Sequence, residues 1–541
     1  MKSSTRSSLR SPGRDMLILH NARIRTLNPR QPFVSALAIE NGRILAAGWD
    51  EDVLALVVPG AKIENLHGQT VWPGLTDAHL HLENYAFSLE RIDCEVETRE
   101  ECLRRVAERA NSLPAGNWIL GHGFDQNRWQ DGYGSAAELD LAAGGRPAYL
   151  TAKSLHAAWA SSAALRLAGI DRATPDPEGG IIQRDADGEP TGILLENAVR
   201  LVEAVLPVPD EHDTAGAIEH ALTRLWRMGI TGVHDFDRRR CFQALQILDS
   251  TARLNLRVVK GIPVDQLSEA VALGLRTGFG SDFLRIGSVK MFADGALGPQ
   301  TAAMLQPYEH SEGAGVLQLN AEQVFEAGRQ AAQSGLSLAV HAIGDRANHE
   351  ILNGYALLRR FESQKNLPRL RHRIEHVQLL HPDDLTRLAE LDVIASVQPV
   401  HAISDIDIAN RHWGSRSRYA YAYKSLLDAN TRLAFGSDAP VETPNPFLGL
   451  HAAVNRARPS GYPGREGWHP EQRLSLEQAL AGFTTGPAFA AGLEDRLGRL
   501  QPGYFADLIV LDGDPFALPP ENLHQYAPAA TMVAGQWVWR H

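Results

Sequence analysis

His79 and His81 close the run Val71-Trp-Pro-Gly-Leu-Thr-Asp-Ala-His-Leu-His81, an apolar stretch that enters a polar loop. In a strand, whose side chains alternate faces with a period of two, both imidazoles lie on one face and reach a single metal ion. A chain with 21 His also holds such pairs by chance, so this one gains meaning only if distant strand ends complete a ligand shell. Several apolar runs do stop on suitable groups. His341 ends Leu-Ala-Val-His, His376 ends Arg-Ile-Glu-His, and Asp438 ends Ala-Phe-Gly-Ser-Asp. Lys290 lies inside Ser-Val-Lys-Met-Phe, where a charge in a buried strand is costly unless neutralised or liganded. Imidazole and carboxylate suit Zn²⁺, with one position left for water. Two ions would need a bridging anion, which Lys290 supplies only as its N6-carboxylated carbamate. The ordinary alternatives are a satisfied core histidine at His341 or His376, a buried ion pair between Lys290 and an acid such as Asp294, and a helix cap at Asp438.

The elements that must position these groups are strands and helices in alternation. Gly229–Asp235, Leu254–Val259, Phe283–Phe292, Leu336–His341, Arg373–Val377, Val393–Gln398 and Thr431–Asp438 read as strands. Ala321–Ser334, Asn348–Ser363 and Pro382–Leu391 read as helices between them. Continuously apolar strands separated by helices imply parallel pairing with both faces covered. About eight over residues 71–488 suit an α/β (β/α)8 TIM-like barrel enlarged by insertions, with a doubly wound sheet as the other arrangement. Both ends of the chain are strand-rich: 15–70, with an Asn41-Gly42 hairpin signal, and 489–541. Each is too short to bury a sheet face alone, so the two are expected to form one small β-sandwich. The segment 91–209 is the least regular, with one helix over Glu97–Leu113 and turn-rich stretches around Asn127 and Pro175. It reads as a lid or pocket wall over the carboxyl-end face, or as a peripheral insertion.

Composition limits what such a protein does. A formal charge of −11 over 541 residues argues against non-specific binding to nucleic acid or to an acidic membrane surface. Three cysteines without CxxC spacing suggest a reducing compartment, and no window approaches a membrane-spanning apolar run. Residues 1–14 read as a disordered basic tail rather than a secretory signal, which places the protein in the cytoplasm. A homodimer is the default assembly.

These motifs resemble the amidohydrolase superfamily, most closely its YtcJ-like branch, which includes N-substituted formamide deformylases. The resemblance runs from Ile-Leu-His-Asn-Ala-Arg-Ile near the start to Gly503-Tyr-Phe-Ala-Asp-Leu-Ile-Val. It implies a barrel carrying a β-sandwich from both chain ends and a metal set of His79, His81, Lys290, His341, His376 and Asp438. The superfamily holds one- and two-metal centres, and the lysine favours two Zn²⁺ ions. It implies hydrolysis of an amide-type C–N bond in an N-acyl or N-formyl small molecule by metal-activated hydroxide. Asp438 then serves as acid–base group, and His156 or His401 helps to stabilise the oxyanion. Phe124, Asp125, Trp129, Trp159 and Asp405 are the expected substrate contacts, which suits a partly apolar or aromatic substrate; ordinary packing of the inserted segment is the competing account of the aromatic residues. Ser154-Leu-His156 and Ser161-Ser162 depart from the branch's Asp-Gly-His and Asn-Ser, which weakens any transfer of specificity. The competing functions are hydrolysis of a lactone, ester or carbamate at the same centre, and a metal-stabilised binding protein without turnover.

Overall fold

The computed structural model describes residues 16–114, 116–207 and 209–541, so the basic segment 1–14 lies outside the described residues. The chain divides into two compact units: Met1–His81 with Leu222–Asp438 and Glu442–His541, and Leu82–Ala221 with Ala439–Val441.

The first unit contains an eight-stranded parallel barrel: β1 (Leu75–Leu80), β2 (Ile230–Asp235), β3 (Arg257–Pro263), β4 (Leu284–Phe292), β5 (Leu338–Ala342), β6 (Arg373–His376), β7 (Ile394–Val397) and β8 (Leu433–Phe435). Each strand lies beside its neighbour in the sequence. The strands are apolar and buried almost throughout, as strands covered on both faces must be. β1 and β8 meet at a seam held by polar groups. The amides of Ser437 and Asp438 donate to the His79 carbonyl. The Asp77 carboxylate accepts from the Ser437 amide and hydroxyl. Gly436 permits this approach, since a Cβ there would stand 2.5 Å from the His79 nitrogen.

Three sequence expectations shift in detail. The run Val71–His81 is not one strand: Thr70–Pro73 belongs to a sandwich sheet, and β1 starts after Gly74, where a Cβ would meet the Thr231 hydroxyl at 2.3 Å. The strand read over Leu254–Val259 starts instead at Arg257. The amides of Arg253 and Leu254 fold back onto the Leu248 carbonyl at the end of the helix Arg239–Ser250, and so delay the strand. Of the helices, Ala321–Gln333 begins at an Asn320/Gln323 capping box and Asp345–Gln364 covers its expected range. Pro382–Leu391 becomes a 3₁₀ turn and the short helix Arg387–Glu390.

Both chain ends build two further sheets in this unit. One orders Arg43–Gly48, Ala36–Glu40, Leu17–His20 and Lys62–Asn65; the other orders Gln536–Arg540, Ala530–Val533, Leu508–Leu511, Thr70–Pro73, Arg23–Arg25 and Phe33–Val34. Leu19, Ile24, Leu37, Ile39, Val71, Leu508, Val510 and Met532 share one core. Asn41 and Gly42 both take positive φ, the conformation that a two-residue hairpin turn demands. A buried ion pair between Arg257 on β3 and Asp507 joins this region to the barrel.

The second unit corrects the picture of an irregular insertion. It is a six-stranded mixed sheet ordered Gly180–Arg184, Pro190–Glu196, Ala157–Ala160, Ala148–Ala152, Ile119–Phe124 and Ile92–Asp93, with its own apolar core. The expected helix is present as Arg99–Ser112, capped by the Thr98 side chain. All three cysteines are buried and none is in a disulfide. Among the described residues, no helix is long and apolar enough to cross a membrane.

Candidate metal centre

The carboxyl ends of five barrel strands bring the six expected ligands to one place. His79 lies near the end of β1 with His81 just beyond it, Lys290 is on β4, His341 on β5, His376 on β6, and Asp438 follows β8. Asp438 Oδ1 stands 3.4 Å from His79 Nε2 and 3.5 Å from His81 Nε2. The His376 ring lies 4.9 Å from His79 and 4.5 Å from His341, centroid to centroid. His79, His376 and Asp438 each offer a ligand atom within 4.8 Å of the others.

Each histidine commits one nitrogen to the protein and leaves the other for the centre, the arrangement that fixes tautomer and ring orientation in metal sites. His79 Nδ1 pairs with Glu375 Oε2 at 2.6 Å, His81 Nδ1 with Asp237 Oδ1 at 3.1 Å, His376 Nδ1 with Gln398 Oε1 at 2.8 Å, and His341 Nε2 with the Gly295 carbonyl at 2.9 Å. Glu375 is gripped in turn by the Arg373 guanidinium, which also donates to His234 Nδ1 and to the Ala78 carbonyl.

The backbone is bent to serve this set. His341 is opposite Glu375 in the β5–β6 register, so Glu375 faces the barrel interior and a regular strand would turn His376 outward. Left-handed φ values of +76° at His376 and +48° at Val377 turn the chain there, and consecutive residues both serve the site. Asp438 also has a positive φ, +63°. Such non-glycine conformations cost about 1–3 kcal/mol each and concentrate where function requires them.

Among the buried polar atoms of the described residues that make no hydrogen bond, three belong to this centre: His79 Nε2, Lys290 Nζ and His401 Nε2. The Lys290 ammonium is flanked by Phe236 and Phe292, 4.7 and 4.9 Å from their ring centroids. The ion pair with Asp294 does not form; that carboxylate accepts the backbone amides of Ala303, Ile343 and Gly344. Burial pushes Lys290 down to about 8, opposed by the charges of Glu375 and Asp438. Burial lowers His341 to about 3 and holds His376 well below the ordinary imidazole value. It works against His81 as well, but hydrogen bonds to Asp237 and Asp438 outweigh it and raise that imidazole to about 10. Burial also opposes ionisation of Asp438 and Glu375. Contacts with His401, His79 and His81 nevertheless keep Asp438 well below the usual carboxylate range, and the Arg373 charge does so for Glu375. Ionised carboxylates facing imidazoles with a nitrogen to spare fit a divalent cation, whose binding would displace the proton from His81.

Of the remaining expected site residues, His401 joins the centre, its Nε2 buried and 3.7 Å from Asp438 Oδ2. Asp405 accepts the Tyr421 hydroxyl nearby in the sequence. His156 and Asp125 belong to the second unit, where His156 Nδ1 pairs with Glu196 at 2.8 Å. Phe124, Trp129 and Trp159 are buried in that unit's core, stacked edge and face on one another, with the indole nitrogens donating to the Val96 and Ser135 carbonyls. Their contacts are those of ordinary packing.

Sequence reasoning missed Glu375, Arg373, Asp237 and Asp77 as supports of the ligands. The signal for them was a charge inside an apolar strand, at Arg373 and Glu375, and the acidic pair Asp235 and Asp237 bracketing Phe236 at the end of β2. A second acidic group, Asp235, Asp237 and Cys241, is also compact. An ammonium already serves it: Lys260 Nζ is 2.9 Å from Asp235 and donates to the Asp237 carbonyl.

A (β/α)8 barrel with this shell at its carboxyl end defines a metal-dependent hydrolase. Residues 62–539 match the model of the amidohydrolase family, and the chain belongs to that family. It is 33% identical to Protein LONG AFTER FAR-RED 3 of Arabidopsis thaliana over 92% of this chain and 87% of that protein. It is 29% identical to the N-substituted formamide deformylase of Arthrobacter pascens over 96% of this chain and 98% of that protein. Among solved structures, a metal-dependent hydrolase from Pyrococcus furiosus superposes with a TM-score of 0.76 at 32% identity, covering 92% of this chain and 99% of that one. The enzyme is therefore a metal-dependent amidohydrolase that acts on small molecules.

Proposed function

We propose that this enzyme hydrolyses an amide-type C–N bond of an N-acyl or N-formyl compound, using two Zn²⁺ ions and an N6-carboxylated Lys290. The observation that carries this reading is the convergence of four histidines and Asp438 around a buried lysine amine without a hydrogen-bond partner. His79, His81, His341, His376, Asp438 and the Lys290 carbamate would hold the metal. Metal held there lowers the pKa of water towards 7 and polarises the substrate carbonyl.

The chain's own groups do the rest. Asp438 directs Oδ1 at His79 and His81, and its carboxylate takes a proton from the attacking water. It returns that proton to the amide nitrogen as the C–N bond breaks, so that one water yields a carboxylic acid and an amine. His401 Nε2, buried beside Asp438 Oδ2, donates to the oxygen of the tetrahedral intermediate. The left-handed turn at Asp438 and the hydrogen bond that its backbone N–H donates to the His79 carbonyl fix that carboxylate in place before substrate arrives.

The test is a panel of N-formyl amines, N-acyl amines, lactones, carbamates and esters offered to metal-replete protein. Turnover concentrated on the amides, reduced about 10²–10⁴-fold per bound metal in Asp438→Asn, is the expected result. Faster turnover of lactones or esters would replace the amide reading, and an Asp438→Asn variant of full activity would overturn the mechanism.

A further inference from the structure

Strand β4 carries its inward-facing residues at alternate positions, and Lys290 is followed on the same face by Phe292. In the β4–β5 register Phe292 lies opposite His341, and the two rings sit 5.3 Å apart. The same phenyl ring is 4.9 Å from Lys290 Nζ. Among the described residues of the eight barrel strands, Phe292 alone is exposed, at 48%. Its counterpart on the other side of the amine, Phe236, is buried at 8%. A half-exposed phenyl at the end of an otherwise buried strand, touching two metal ligands, has no packing reason to remain uncovered. An apolar group of a bound ligand would cover it and recover the hydrophobic and ring-contact energy that water leaves unused.

We propose that Phe292 is the specificity-determining platform of this site, receiving an aromatic or branched apolar substituent attached to the scissile amide. The inference rests on the amide reading above for its substrate, but not for its geometry, since any acyl compound placed over His341 meets the same ring. The aromatic contact assigned from the sequence to Phe124, Trp129 and Trp159 thus moves to a residue in the barrel itself. Its location next to the ligands means that the substituent lies close to the reacting carbonyl and not at a remote subsite.

The measurement is selectivity in metal-loaded protein. kcat/KM is compared for N-benzylformamide against N-methylformamide in wild type, Phe292→Ala and Phe292→Leu, with metal content and melting temperature matched. The expected result is a fall of about tenfold in the benzyl-to-methyl ratio for Phe292→Ala, a smaller fall for Phe292→Leu, and a change in KM more than in kcat. Equal losses on both substrates, or no loss on either, overturn the proposal. In parallel, calorimetric titration with phenylacetate and acetate reads the platform without turnover. Phenylacetate should bind wild type more tightly and lose that advantage in Phe292→Ala. A wild type that hydrolyses neither formamide while keeping this phenylacetate preference would refute the amide reading and leave the platform standing. Equal affinity of wild type for the two acids would refute the platform.

Discussion

Carboxylation of Lys290 requires the uncharged amine, because only its lone pair attacks CO₂, forming an N–C bond and releasing one proton. With burial holding the ammonium at about 8 against an ordinary 10.5, roughly one amine in ten is uncharged at pH 7, roughly three hundred times the fraction of an exposed lysine. The same shift has a folding consequence whose sign is fixed. The folded-state value lies below the unfolded one, so protonation favours the unfolded chain, and metal-free protein is destabilised by about 3 kcal/mol at pH below 8. That penalty disappears as pH rises from about 8 to 10.5. Metal-free wild type incubated with carbon-13-labelled CO₂ at constant pressure should develop one carbamate resonance that strengthens through pH 8 and is absent in Lys290→Ala. Metal titration should then give two ions per chain with CO₂ present and fewer in Lys290→Ala. A Lys290→Met variant should melt higher than wild type at pH 7 in the metal-free state, with the difference shrinking from about pH 8 and vanishing above about pH 10.5. Two ions bound by Lys290→Ala, or no lysine-dependent carbamate at any pH, would refute the assignment.

Further outcomes test the supports of the centre. Glu375→Gln keeps the size of the acceptor for His79 Nδ1 but removes its charge, and metal affinity measured by chelator competition should fall 10–100-fold; unchanged affinity would remove Glu375 from the machinery. Gly436→Ala forces a methyl against the His79 backbone, and the melting curve should report a loss of about 1–3 kcal/mol together with weakened metal binding. Arg257→Ala leaves the Asp507 carboxylate buried without its partner and should cost about 3–5 kcal/mol in chemical denaturation, with kcat of the surviving folded protein unchanged.

The barrel strands were legible because they are covered on both faces, and such strands appear in sequence as unbroken apolar runs. Thr70–Leu80 is the instructive exception: two strands of different sheets share one run, and the break at Gly74 is set by Thr231, more than 150 residues away. The second unit stayed hidden for the opposite reason. Its strands are short, carry glycines such as Gly121, Gly123 and Gly192, and pair in mixed directions, so neither an apolar run nor a strict alternation marks them. Asp77, the carboxylate that closes the barrel seam onto Ser437, is likewise an ordinary polar residue until β1 and β8 are brought together.

The site divides along the same line. Ligands at strand ends stand out one at a time, since each is a metal-binding side chain where an apolar run stops. Their supports show at most as charges inside an apolar strand, as at Arg373 and Glu375, and the role of Glu375 exists only through the pairing of β5 with β6 and its reach across the barrel to His79 on β1. Phe292 is the sharpest case. Alternation assigns it to the same face as Lys290, where every other inward position of that strand is covered, and nothing in the one-dimensional pattern separates a filled barrel from its open mouth. Trp159 and Phe124 illustrate the converse, since aromatic residues in a glycine-rich segment look available for substrate until a sheet closes over them. Exposure of an apolar ring beside His341 and Lys290 is thus a property that only tertiary structure creates, and no pattern along the sequence could have singled it out.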